Sequence, residues 1–227
     1  MEDNNESIKR IFDSCAELYR NKFMDPDRYQ LSLDLFSQYL QSDFKVLDVG
    51  CGPGNLSAYL QKKHPAIKFF GIDLSSKMLQ LAKENLPGGE FQQMDCRNLD
   101  RLPKKFDAVI CGFCLPYLSR KDSKNFLKKV SSQLNSEGIV YLSTMVAKNY
   151  ASNWVKSNQG GDQKLLTYYH QADELKETLL KYDFSILYDQ QMEEQERDGV
   201  KFRDQIIIAR KNGSGLITDQ SSSQEVI

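Results

Sequence analysis

The 227-residue chain sets 30 Lys and Arg against 31 Asp and Glu, a net charge of −1, with 40% hydrophobic and 27% charged residues. That balance fits one ordinary globular domain with a real core, and it offers no global field to recruit nucleic acid or an anionic membrane. No apolar run approaches the ~20 residues of a membrane span, and the polar opening MEDNNESIKR is unlike a signal peptide, so a cytoplasmic location is expected.

Residues 7–24 space Ile8, Ile11, Phe12, Cys15, Leu18 and Tyr19 on one apolar helical face. Pro26 interrupts the pattern, and Tyr29, Leu31, Leu33, Leu35, Phe36, Tyr39 and Leu40 predict a second helix, so residues 1–42 are expected to form a helical cap. A main domain is expected over residues 43–211. KVLDVG is its first strand, and the segment after Gly54 is a helix that closes near His64-Pro65. IKFFGID is a second strand; SSKMLQLAKENL is a helix opened by Ser75 or Ser76 and ended by Pro87-Gly88-Gly89. EFQQMD reads as a short strand, FDAVICGF as a buried one, Ser123–Leu134 as a helix, residues 135–138 as a turn and GIVYLSTM as a strand. An excursion over residues 146–170, carrying Tyr150 and Trp154, is expected to lie on the acceptor side of a site. Residues 172–182 predict a last helix, and FSILYDQQ and DQIIIARK predict two strands joined by a polar linker over residues 193–201, too short for a crossover helix. Residues 212–227, rich in Ser and Gly, are expected to be disordered.

Strand and helix alternating in this order require right-handed crossovers and a parallel sheet with helices on both faces. The final pair, as a hairpin, adds one antiparallel strand. Five cysteines, Cys15, Cys51, Cys96, Cys111 and Cys114, are an odd number and read as reduced thiols. Cys111 and Cys114 form a C-x-x-C with no second pair and no His cluster, so no metal site is expected.

The stretch VLDVGCGPGN carries the chemistry. Gly50, Gly52 and Gly54 let backbone approach a ligand where a Cβ would block it. A dinucleotide wants G-x-G-x-x-G, and here Asn55 stands in the third glycine's place. Asp48, before the glycines, instead suits a phosphate-free ligand with an amine, met directly or by anchoring the loop. Asp73 ends the second strand, where a carboxylate accepts from ribose hydroxyls. Asp95 follows the third, where it can accept from an exocyclic amine, with the Cys96 N–H beside it. Leu74, Met78 and Met94 offer apolar surface to a purine. S-adenosylmethionine has these features: an amino acid, a sulfonium and no phosphate.

From about Lys45 to Met145, VLDVGCGPG, GIDLSSKMLQLAK, Asp95 and FDAVICGF in register resemble the class I S-adenosylmethionine-dependent methyltransferases. The resemblance implies a three-layer Rossmann-like α/β fold with a seven-stranded, mostly parallel sheet and one antiparallel strand in the C-terminal hairpin. It implies that Gly50, Gly52 and Gly54 contact the methionine moiety, Asp73 the ribose, Asp95 and Cys96 the adenine, and Cys111 the cofactor through its backbone. The implied activity is methyl transfer, and the small caps and balanced charge lead us to expect a small-molecule acceptor in place of nucleic acid or protein.

Such a transfer is an in-line displacement that mainly needs positioning and exclusion of water. Tyr117, just past the fourth strand in CLPYLS, is a candidate catalytic residue where related enzymes often have histidine. The same stretch half-resembles an N-P-P-Y motif, but Cys114 and Leu115 replace its amide and first proline. His170 is the other candidate, as a general base. In the N-terminal helix, acting as a lid, Tyr19 is expected to face the sulfonium and Lys22 the cofactor carboxylate. A nicotinamide-dependent oxidoreductase is the weaker alternative, and a catalytically silent methyltransferase-like module the other.

Overall fold

The computed structural model describes residues 4–156 and 164–213. Helix α1 (Asn4–Phe23) and, after a 3-10 turn at Asp27–Tyr29, helix α2 (Gln30–Ser37) precede the sheet. Strand β1 (Lys45–Val49), helix α3 (Asn55–Lys63), strand β2 (Lys68–Asp73), helix α4 (Ser76–Asn85) and strand β3 (Glu90–Gln93) form the first half. Strand β4 (Phe106–Gly112), helix α5 (Arg120–Gln133), strand β5 (Leu134–Val146), a pair β6 (Ala151–Lys156) and β7 (Lys164–Tyr169), helix α6 (Ala172–Lys181) and strands β8 (Phe184–Arg197) and β9 (Val200–Lys211) form the second.

The main sheet has seven strands in the order β3-β2-β1-β4-β5-β9-β8, all parallel except β9, which pairs antiparallel with both β5 and β8. The central strands β1, β4, β5 and β9 are buried on both faces, so their consecutive apolar residues divide between two cores, while the edge strands β3 and β8 are largely exposed. Val46, Ala108, Ile110, Tyr141 and Ile208 point to one core with Leu33, Phe36 and Leu60. Their neighbours Leu47, Val109, Cys111, Leu142 and Ile207 point to the other, against Phe126, Leu127, Val130, Leu175 and Leu179. This is the expected three-layer Rossmann-like arrangement with one reversed strand.

Local chemistry moves several boundaries. Ser119 caps α5 by accepting from the Asp122 N–H, so that helix starts ahead of the predicted Ser123. Residues 135–138 are not a turn; β5 runs through them, with Glu137 at φ 61. The polar stretch 193–201 is not a linker, because Asp198 (φ 50) and Gly199 (φ 78) make a two-residue turn that keeps Arg197 and Val200 paired. The excursion after β5 is an antiparallel hairpin, β6 with β7, separate from the main sheet. The expected tail falls, beyond Asn212 and Gly213, outside the described residues. Among the described residues no helix is long and apolar enough to cross a membrane.

Candidate active site

The glycine-rich loop sits at the C-terminal end of β1, where an open parallel sheet presents its ligand crevice. Gly50, Gly52 and Gly54 have φ of 65°, 54° and 77°. The backbone at Gly50 favours glycine, and a Cβ there would stand 3.2 Å from Cys114 Cβ, a tight contact that the cysteine would have to relieve by a few tenths of an ångström. The loop is held from below and from the side. The Cys51 N–H donates to Ile72 O at 3.0 Å, the Gly52 N–H to Asp73 Oδ2 at 2.9 Å, and Asn85 Nδ2 to Pro53 O at 2.8 Å. Asn55, in the place of a third glycine, donates to Phe23 O at 3.0 Å and ties the end of α1 to the loop.

A cavity of about 100 Å³ lies over this loop, and Gly50, Gly52, Asp73, Leu74, Met78, Asp95, Cys96, Tyr19 and Tyr117 all line it. Met94, Phe12, Phe113 and Asn5 complete much of its wall. Sequence reasoning did not single out the last three for the site, although the apolar spacing of α1 already put Phe12 on the face with Tyr19.

The three carboxylates occupy different settings. Asp73 Oδ1 accepts from the Ser75 N–H at 2.8 Å while Oδ2 accepts from the Gly52 N–H at 2.9 Å, and the carboxylate lines the cavity. Burial raises the Asp73 pKa, opposed by those two N–H groups, with Asp13 adding to the rise. Asp95 lies at the far end, paired with Arg97 through Nε at 2.9 Å and Nη2 at 2.6 Å, and it accepts from Asn5 Nδ2 at 2.7 Å. Asp48 is 2% exposed and accepts from Ser57 Oγ at 2.6 Å, fastening α3 to β1. Burial pushes its pKa up to about 7, against the Ser57 hydrogen bond and with help from Asp73.

Four expected cofactor residues lie elsewhere than the cavity wall. Asp48 is beneath the loop, so of its two expected roles the geometry matches anchoring and excludes direct contact. Gly54 opens α3 and packs on Ala82, where a Cβ would come within 3.4 Å. Cys111 is fully buried in the core, and the next residues, Gly112 and Phe113, reach the cavity instead. Lys22 is exposed, with its ammonium 5.1 Å from the Phe23 ring centroid, because α1 turns that side to solvent.

The acceptor-side candidates also part company. Tyr117 lines the cavity beside Phe12, ring centroids 5.4 Å apart, and burial raises its pKa far above the usual phenol range. Tyr19 is pushed up to about 12 by burial and then by Asp73. Both phenols therefore stay protonated at neutral pH. His170 does not line the cavity: it is 2% exposed, and its Nε2 donates to Leu115 O at 2.9 Å. Burial lowers its pKa, so it is a neutral strut between β7 and the Leu115–Tyr117 turn, not a base facing a ligand.

Helix α1 closes the cavity. Ile8, Ile11 and Cys15 pack on Leu165 of β7, and Ala16 packs on Met78 and Leu81 of α4. Asp13 Oδ1 accepts from Ser75 Oγ at 2.6 Å. A second cavity of about 560 Å³ lies beside the N-terminus of α6, away from the glycine loop. Among its charges Arg120 pairs with Glu174 at 2.6 Å and Arg203 with Glu194 at 3.6 Å. Among the described residues no cluster of His, Cys, Asp or Glu is arranged to hold a metal ion.

Residues 46–138 match the family described as a methyltransferase domain. The demethylmenaquinone methyltransferase of Thermotoga maritima is 32% identical over 146 residues, covering 62% of this chain and 62% of that protein. The trans-aconitate 2-methyltransferase of Escherichia coli K12 is 32% identical over 111 residues, 49% of this chain and 40% of that one. The chain thus spans less than two thirds of the length of these relatives. The magnesium protoporphyrin IX methyltransferase of Synechocystis PCC 6803 with bound S-adenosylhomocysteine superposes with a TM-score of 0.68 at 17% identity, covering 92% of this chain and all of that one, a likeness of fold.

Proposed function

Because the chain belongs to the class I S-adenosylmethionine-dependent methyltransferases, we propose that it transfers the cofactor's methyl group to a small-molecule acceptor by in-line displacement. One observation carries this reading. Bare backbone at Gly50 and Gly52, the Asp73 carboxylate, and the Asp95–Cys96 corner line a single crevice with Leu74, Met78 and Met94 between them. That order fits an amino acid, a ribose and a purine in sequence, with no phosphate to cradle. The same order, with Asn55 in the third glycine's place, disfavours a dinucleotide.

Within this reading Asp73 holds the ribose hydroxyls and Asp95 receives the adenine amine. Met78 and Leu74 cover the purine face. The aromatic wall of Tyr19, Phe12 and Tyr117 meets the sulfonium end, where ring faces attract a cation. When bound, the cofactor supplies an activated methyl on a good leaving group; the chain supplies alignment and dryness. Tyr117 keeps its proton and so donates to, and orients, the acceptor. The nucleophile must therefore arrive with a lone pair already available.

The test is turnover. The protein incubated with S-adenosylmethionine and a deproteinised metabolite extract releases S-adenosylhomocysteine above the extract-free rate if the reading holds. Release no greater than in the extract-free control, with cofactor binding intact, would identify a silent module instead.

A further inference from the structure

The β8–β9 turn carries a cation, Arg197, next to the β6–β7 hairpin. Asn153 of β6 donates to Asp198 O at 3.2 Å, docking the tip of the β8–β9 hairpin onto the β6–β7 hairpin. The residue before that contact, Arg197, is half-buried, and among the described residues its guanidinium has no ion-pair or hydrogen-bond partner. This contrasts with Arg20, Arg97, Arg120 and Arg203, each of which is paired with a carboxylate.

Two phenols meet the field of that charge. Tyr117 lines the cofactor crevice, and Arg197 is the one cation among the charges acting on it. Tyr169 of β7 is fully buried, and its hydroxyl has no hydrogen-bond partner, which a buried hydroxyl rarely tolerates. Arg197 is also the foremost charge acting on Tyr169. A half-buried arginine without an anion and a buried hydroxyl without a partner both carry a cost. A single ligand satisfies both if it is anionic, planar and able to accept several hydrogen bonds, which describes a carboxylate held by an arginine fork.

We infer that the acceptor is a carboxylate-bearing small molecule, bound by Arg197 and Tyr169 beneath the β6–β7 hairpin with its nucleophile presented past Tyr117 to the methyl group. This rests on the methyltransferase reading and adds the substrate class to it. A carboxylate group also fits a crevice whose tyrosines stay protonated, because they serve it as donors.

The test uses the full chain saturated with S-adenosylhomocysteine. Small carboxylates are titrated alongside their primary amides, benzoate with benzamide and succinate with succinamide among them, and binding is read by ligand-observed NMR. The expected result is that carboxylates bind and their amides do not. Arg197→Gln then weakens the carboxylates by about tenfold or more, the worth of a charge-assisted hydrogen bond, while Arg197→Lys retains part of the affinity and Tyr169→Phe weakens it in an intact fold. S-adenosylhomocysteine affinity is expected to be unchanged in all three variants. Equal binding of acids and amides, or carboxylate binding indifferent to Arg197→Gln, overturns the inference and leaves the cofactor reading standing. Failure of the unaltered chain to bind S-adenosylhomocysteine overturns both.

Discussion

Asp48 titrates near neutrality because the sheet and α3 shut it away from water. The folded-state pKa of about 7 lies above the ordinary 3.8, so between those values the folded chain holds a proton that the unfolded chain has released. Stability therefore falls as pH rises through that window and levels off above it. Asp48→Asn keeps an oxygen for the Ser57 hydroxyl and removes the ionisation. Denaturant titrations should show the variant gaining on the unaltered chain from pH 4 to pH 7, by a few kcal/mol, since each tenfold change in proton affinity is worth about 1.4 kcal/mol. A difference that is flat with pH would refute this. The same residue marks how far sequence reasoning reaches at this scale. A strand-end acid next to a glycine turn is legible, and Asp73 and Asp95 do end on the crevice. Whether an acid faces the ligand or the helix beneath depends on the Ser57 contact, which no local pattern encodes. Lys22 and His170 illustrate the same point: helix rotation sends one to solvent and a hydrogen bond to Leu115 O buries the other.

Helix α1 is both wall and obstacle. The cavity of about 100 Å³ is smaller than the ~300–1,000 Å³ usual for small-molecule sites, because α1 lies across it. Asn5 occupies the place on Asp95 that a purine amine would take, presenting the same N–H donor. Cofactor entry then exchanges the Asn5 amide N–H for an amine N–H, and α1 must move. Asn5→Ala should raise S-adenosylhomocysteine affinity by roughly threefold to tenfold, the worth of one hydrogen bond removed from the closed form, as read by calorimetry. A fall in affinity would show that Asn5 holds the cofactor and does not compete with it. The apolar periodicity of α1 forecast the helix and the face that Phe12 and Tyr19 share. The β6–β7 hairpin was not forecast: its strands are short, Trp154 is 53% exposed, and what orders Leu165 is its packing on Ile8, Ile11 and Cys15. The Asp198-Gly199 turn was legible as a hairpin signal, but the polar strand ends around it read as linker.

At the scale of the whole molecule, alternation of apolar strands with helices settles most of the architecture. Val46 and Leu47, adjacent in the chain, bury into opposite cores, which only a sheet covered on both faces provides. The reversed β9 follows from chain length alone, since β8 and β9 are joined by two residues and cannot cross over. What alternation does not encode is the contents of the crevice, which six separate segments assemble: α1, the glycine loop, the ends of β2 and β3, α4 through Met78, and the turn after β4. The claim that these converge on one phosphate-free nucleoside is tested most directly by paired calorimetric titrations of the full chain. S-adenosylhomocysteine should bind with one-to-one stoichiometry and NADH should not bind. NADH binding, with no S-adenosylhomocysteine binding at millimolar concentration, would contradict the account.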